Sequence, residues 1–230
     1  NRYTIGVDFG TLSARASVVS IVNGETAAEA VFPYHAYQGR LPCGTDIPPQ
    51  AVLADPLEYM DALVNSVKEA VQKSEIPKSQ IVGIAVDATS LSLVAADAAG
   101  MPMCLHEQWK DNPHAYIKLW KSHSAQAEAE VIQKMAEQEG QAFLEWCGGH
   151  MSSEWALPKM LETYLRAPAL FAATAYFWDL CDWLTLLLCG QTTRNIGSMC
   201  FKFNYDGSSL PDRAFCNRVS PGFGDALEGK

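Results

Sequence analysis

Long apolar runs are missing from these 230 residues: uninterrupted stretches such as 186–189 fall far short of the ~20 residues a membrane-crossing helix needs. Positive charge is scarce too. Lys and Arg number 17 against 26 Asp and Glu, a net charge of -9 at pH 7. This argues against a nucleic-acid backbone as the main partner, because neutralising phosphates takes clustered cations. An anionic substrate must therefore meet a local cation or a bound metal. The seven cysteines show no C-x-x-C pairing and follow no secretory leader, so they read as reduced thiols of a cytosolic protein. Absent as well are G-x-x-x-x-G-K-[ST] and a strand-to-helix G-x-G-x-x-G, which argues against P-loop enzymes and dinucleotide binders. No internal repeat or low-complexity segment interrupts the chain. Its 48% apolar and 19% charged residues are those of a globular chain with a substantial core, as one large domain or two small ones.

The densest signal lies near the start. Tyr3, Ile5 and Val7 alternate as a strand, Asp8-Phe9-Gly10-Thr11 and Ser13 form a polar tip, and Arg15, Ser17 and Val19 resume as a second strand, which is a β-hairpin pattern. Gly10 is expected to take a positive φ and bring backbone N–H groups toward a ligand, with Thr11 and Ser13 adding neutral donors, a combination suited to phosphate oxygens. Asp8, acceptor-only when ionised, fits beside phosphate only if Mg2+ or its water shell lies between them. The alternative is a hairpin that merely has a polar end.

Asn23-Gly24 signals a further hairpin and a third strand over 26–32. Residues 34–54, holding Gly39, Pro42, Gly44, Pro48 and Pro49, read as a long surface loop: a lid, an oligomer contact or neither. Asp55, Pro56 and Glu58 give a capping-box-like helix start, after which Leu57, Met60, Leu63, Val64, Val67 and Val71 should face a sheet. Residues 81–86 read as a buried parallel strand and 91–96 as another. Helices are then expected over 113–139, after a Ser152-Ser153-Glu154 cap, and over 179–188, where residues are apolar on nearly every side and hence buried, up to Gly190. The tail after Tyr205 reads as turn-rich. Cys147-Gly148-Gly149-His150 has ligand-like spacing but lacks the second pair a structural zinc needs.

Five segments stand in one order: IGVDFGT, GIAVDATS, QWKDNPHAYIKLWKSH, SSEWALPKM, and LCDWLTLLLCGQ followed by FNYD. In that order, over essentially the whole chain, the sequence resembles the FGGY family of carbohydrate kinases. KDNPH, GGHMSSEW and MCFKFNYD resemble its ketopentose-phosphorylating branch. Asn112-Pro113-His114 follow Asp111 where many family members carry an Arg, a departure that fits this branch and removes one generic sugar contact.

The resemblance implies an α/β fold of the ribonuclease-H-like, actin-like ATPase kind, a mixed sheet opened by three antiparallel strands, with helical insertions. It implies ATP-dependent phosphorylation of a ketopentose, L-ribulose to L-ribulose 5-phosphate, in cytoplasmic arabinose catabolism, with ATP and Mg2+ as cofactors and no nucleic-acid or membrane partner. Another pentulose or a polyol as substrate, or a sugar-binding fragment without catalysis, are the alternatives, and a homodimer is compatible with each. Residue by residue, it places Asp8, Gly10, Thr11 and Ser13 in the phosphate loop, Asp8 also on Mg2+ through water, and Arg15 near the transferred phosphate. Asp87, Thr89 and Ser90 fall in the turn lining the sugar pocket, Trp109 and Lys110 in its wall, and Lys202 on a sugar hydroxyl. The residues alone leave Arg15 also readable as a strand surface charge, Lys202 more readily as a solvated surface charge than as a ligand, and Trp109 as core. No catalytic base is assigned in this chain. The family's aspartate is expected beyond Lys230, and Asp225 in GFGDALEGK does not fill that role. Residues 1–230 thus read as an incomplete N-terminal, sugar-binding portion that does not turn over alone.

Overall fold

The computed structural model describes residues 2–230. Side-chain alternation along the first strands makes a two-faced ribbon. On β1 (Tyr3–Phe9) and β2 (Ser13–Ser20), Ile5, Val7, Phe9, Ala14, Ala16 and Val18 point inward and are buried, while Gly6, Asp8 and Arg15 point out and are exposed. β3 (Thr26–Pro33) follows the Asn23-Gly24 turn and pairs antiparallel with β2.

After the loop and the short β4 (Leu53–Ala54) comes α1 (Pro56–Ser74), started by Asp55, whose Oδ1 accepts from Leu57 N at 2.9 Å. Glu58 closes no capping box. Its carboxylate instead accepts from the His35 backbone N–H and the Tyr37 hydroxyl, tying the preceding loop to the helix. Asp55→Ala should cost ~1 kcal/mol, read as a lowered urea midpoint. The fully buried row of α1 is Tyr59, Ala62, Leu63, Ser66 and Ala70; of the predicted positions Leu63 is among them and Met60, Val67 and Val71 pack partly buried against the core, whereas Leu57 and Val64 stay 49% and 46% exposed. The four-residue spacing of Ala62, Ser66 and Ala70 makes a smooth ridge on which the helix lies close against β2 and β3.

β5 (Ile81–Ala88) then runs parallel beside β1, giving a mixed sheet of order β3-β2-β1-β5. It was expected to be buried, yet Val82 is 55% and Ile84 39% exposed, because β5 is the sheet's edge strand and only β1 pairs with it among the described residues. A second, buried sheet of order β4-β7-β6-β8 is built from β4, β6 (Leu93–Ala96), β7 (Ile117–Lys118) and β8 (Tyr176–Asp179). Its β7 lies inside the stretch predicted as one helix over 113–139. Pro113 opens a single 3-10 turn capped by Asn112, and the β-branched Ile117 is taken into the sheet between β4 and β6. The helix α2 spans only Gln126–Glu139.

α3 (Phe143–Trp146), α4 (Ala156–Arg166) and α5 (Pro168–Ala173) form a helical layer whose core includes Ile132, Phe143, Leu157, Phe171 and Phe177. Ser152 and Ser153 do not cap α4: its N-cap is Trp155, which makes no side-chain cap bond, and Glu154 is left free to point elsewhere. α6 (Leu180–Cys189) buries Trp183 and Leu184 and packs on β5. Its outer Leu187 and Leu188 are 41% and 40% exposed, against the expectation of burial all round. α7 (Ile196–Lys202) follows, and the tail after Tyr205 forms two helices where turns were expected: α8 (Arg213–Val219), capped by Asp212, and α9 (Phe223–Leu227). Among the described residues no helix is long and apolar enough to cross a membrane.

Candidate functional site

The strands β1 and β5 are parallel and end together, and open α/β sheets hold ligands beyond such carboxyl ends. In register there, Asp8 sits between Arg15 of β2 and Asp87 of β5. Neighbours in register share a face, so two carboxylates and a guanidinium form one exposed row. Beside it, Thr11 and Ser13 are half-exposed on the hairpin tip. Gly10 corrects an expectation. Its backbone is not in the left-handed region, and its N–H donates to Ser13 O at 2.9 Å, closing the tip rather than facing a ligand. The Gly10 carbonyl accepts from the Tyr34 hydroxyl, whose pKa burial pushes far above the ordinary tyrosine value.

The turn after β5 is tied back to β1 by Thr89 N donating to Phe9 O at 3.0 Å. Next to it, Ser90 Oγ donates to Asp179 Oδ2 at 3.4 Å and lies 3.5 Å from Ser198 Oγ. Ser198 and Lys202 are four residues apart on α7 and therefore share a helix face, which sets Lys202 one turn from Ser90. Lys202 is buried at 8% exposure, with its Nζ 4.0 Å from Glu154 Oε2. The N-terminus of α7 is held by buried acid: Asp182 Oδ1 accepts from Asn195 N at 2.8 Å. Burial raises the carboxyls of both Asp179 and Asp182 above their ordinary values.

Trp120 escaped the sequence reading. Placed just past β7, it is half-buried, and its Nε1 donates to Thr11 Oγ1 at 3.3 Å, bringing an indole against the hairpin tip. The available signal was KLWK, an aromatic at the end of a short strand. Trp109 and Lys110 lie apart from this cluster. The Trp109 ring packs against the helical-layer core, and exposed Lys110 pairs with Glu107 at 2.6 Å. Thus Asp8, Arg15, Asp87, Thr11, Thr89, Ser90 and Lys202 come together, joined by Trp120, Glu154, Asp179 and Ser198, whereas Trp109 and Lys110 do not. Asp225 is committed to Arg213 at 2.5 Å and Asn217 at 3.0 Å on the surface.

Beneath the site lie two lysines of the interior. Lys118 Nζ is 2.5 Å from Glu162 Oε2 and donates to Thr163 Oγ1 at 2.7 Å. Lys159 is 1% exposed, and burial, with the Lys118 charge adding to it, pushes its ammonium down to about 7. The site fits a Mg-nucleotide by its donor set: the adjacent Asp8 and Asp87 carboxylates are hard oxygen ligands of the type Mg2+ shares with phosphates and water. Among the described residues no group of three or more His, Cys, Asp or Glu converges on one point, so a closed protein cage for a metal is not built here.

Comparison with known proteins agrees with this geometry. The model of the FGGY family of carbohydrate kinases, N-terminal domain, matches residues 3–202. The chain is 36% identical over 233 residues to a ribulokinase of Mycolicibacterium smegmatis, covering 100% of this chain and 41% of that protein. It is 38% identical over 197 residues to a ribulokinase of Halalkalibacterium halodurans, covering 84% and 35%. It thus spans about two fifths of the length of such curated relatives. In structure it is similar to a xyloylose kinase from Brucella ovis (TM-score 0.74, 16% identity, 97% of this chain and 42% of that one). A ligand-bound xylulose kinase from Lactobacillus acidophilus is similar too (TM-score 0.71, 17% identity, 95% and 40%). These likenesses carry the fold, the α/β architecture with its mixed sheet and helical additions. The family model's match over 3–202 and relatives more than 30% identical over most of the chain show it: this chain belongs to the FGGY family of carbohydrate kinases.

Proposed function

We propose that this chain is the N-terminal, sugar-binding part of an ATP-dependent ketopentose kinase, with L-ribulose as first substrate and L-ribulose 5-phosphate as product. The observation carrying this reading is the Asp8–Arg15–Asp87 row at the end of two parallel strands, flanked on one side by Ser90 bonded to Ser198 of α7 and on the other by Trp120 bonded to Thr11. The ribulokinase names of its relatives support the choice of sugar. In this reading Thr11 and Ser13 donate to phosphate oxygens and Arg15 offsets the charge of the transferred group. Lys202, drawn inward toward Glu154, donates to sugar hydroxyls. Ser90, oriented by Asp179 and Ser198, fixes the sugar on the other side, and the Trp120 indole covers it.

Mg2+ bound with ATP supplies charge neutralisation at the γ-phosphoryl group, and Asp8 and Asp87 would hold its water shell. The remaining task of the protein is positioning the attacking hydroxyl in line. The hydroxyl's proton acceptor and the adenosine site are assigned to polypeptide beyond these 230 residues, and the place of work to the cytoplasm. The test is ADP release by the full-length protein across pentuloses, pentoses and polyols. L-ribulose is expected to exceed the rest, and Lys202→Met to raise its KM by about tenfold with little change for ATP. A preference for another pentulose or a polyol moves the substrate while keeping the family. ATP binding without turnover on any sugar sinks the kinase reading.

A further inference from the structure

Lys159 is an anomaly of the interior. It lies on α4 among Leu157, Met160 and Leu161 at 1% exposure, and no carboxylate comes within ion-pair distance of its Nζ among the described residues. Its acceptors are two backbone carbonyls, Leu119 O at 2.8 Å and Leu91 O at 3.4 Å. Charges of both signs surround it, Lys118 and Lys202 against Glu154 and Glu162. An interior ammonium without its own counter-ion is costly, and Met would fill the same space without that cost.

The identity of the acceptors accounts for the lysine. Leu91 follows Ser90, and Leu119 precedes Trp120. Between the strands that carry these segments, β6 and β7, the sheet provides a single paired position, Leu93 with Lys118. Beyond that position nothing in the ladder sets how far apart the two chain segments stand. The ammonium bridges them from below.

We infer that Lys159 is a positioning residue of the sugar pocket, tying the 90–91 and 119–120 segments together so that Ser90 and Trp120 address one ligand. This rests on the sugar-pocket reading of the preceding section. Direct contact with substrate is not part of the role, since the side chain is enclosed.

The test is Lys159→Met in the full-length protein, with KM measured separately for the ketopentose and for ATP, and the thermal midpoint measured alongside. The expected result is a ketopentose KM raised by about tenfold, an ATP KM within about twofold, and a midpoint close to that of the wild type, because removal of the buried charge offsets the Leu91 carbonyl left without its donor. A lowered midpoint with both KM values unchanged overturns the inference and makes Lys159 a packing residue. Should the Met variant fail to fold, Lys159→Gln, whose shorter amide cannot span both carbonyls, is expected to give the same split between the two KM values. Ketopentose and ATP KM values both at the wild-type level in that variant overturn the inference, as does failure of both variants to fold. A wild type inactive on every ketopentose removes the pocket reading itself, whereas an active wild type matched by the Met variant removes only the role of Lys159.

Discussion

Asp8→Asn in the full-length protein is expected to lower kcat by about two to three orders of magnitude, the usual size of a lost transition-state electrostatic contact. The unfolding midpoint should stay in place. Asp8 is exposed at the end of β1 and its side chain makes no hydrogen bond or ion pair among the described residues, so the isosteric amide removes charge and nothing else. What it removes is one of two carboxylates in the row with Arg15, and the amide is a poorer ligand for a Mg2+ water shell. Asp87, still in register, sets the residual activity. Turnover within tenfold of wild type would sink the assignment of this row to phosphate chemistry.

The largest stability effect should come from Glu162→Ala, a loss of ~3–5 kcal/mol measured as a shift in the urea midpoint. Lys118 and Glu162 side chains are each 4% exposed, and without the carboxylate the Lys118 ammonium keeps only Thr163 Oγ1 and the Lys159 carbonyl. Lys159 then lies beside a second uncompensated cation. Adding Lys118→Met to Glu162→Met should recover most of the loss, because the stranded charge leaves with its partner. Single and double variants of equal stability would show that the pair contributes nothing. The pair also gives a pH signature. Burial alone raises the Glu162 carboxyl, but Lys118's charge and hydrogen bond outweigh it and hold the group below its ordinary value. A depressed folded pKa means stability fully present above the unfolded carboxylate range and lost as pH falls through the folded value. Lys118→Met with Glu162→Met should flatten that acid limb.

Local chemistry was legible from the residues. The β1–β2 hairpin, the Asn23-Gly24 turn, the Asp55-Pro56 helix start and the Gly190 stop each depend on a few neighbouring residues, and each stands where expected. What failed depended on partners distant in sequence. Glu58 had a local role available but bonds to His35 and Tyr37 across the loop. Ile117 and Lys118 had helical neighbours but found strands on both sides. Trp109 and Trp120 are eleven positions apart in similar polar surroundings, and only the folding of β7 into the second sheet brings Trp120 to the hairpin tip and leaves Trp109 on the core. Asp179 and Ser198 carry no motif of their own, since their meaning comes from Ser90, which lies 89 positions before Asp179.

The open side of β5 decides how these residues behave as a laboratory reagent. From Ile81 to Val86 the strand has no charge, no proline and no inward-pointing lysine, the devices that normally blunt a sheet border against unwanted pairing. Apart from the Gly83 and Val86 carbonyls, which accept from Thr4 and Cys181, its outward N–H and C=O groups pair with no further strand among the described residues and, with Val82 and Ile84 beside them, are a docking template for an extended peptide, including another copy. Expressed alone, the 230 residues are therefore a poor candidate for concentration and crystallisation. A single lysine at position 82 is the economical way to make them tractable, because it sits on the free border and far along the strand from Asp87 and the pocket.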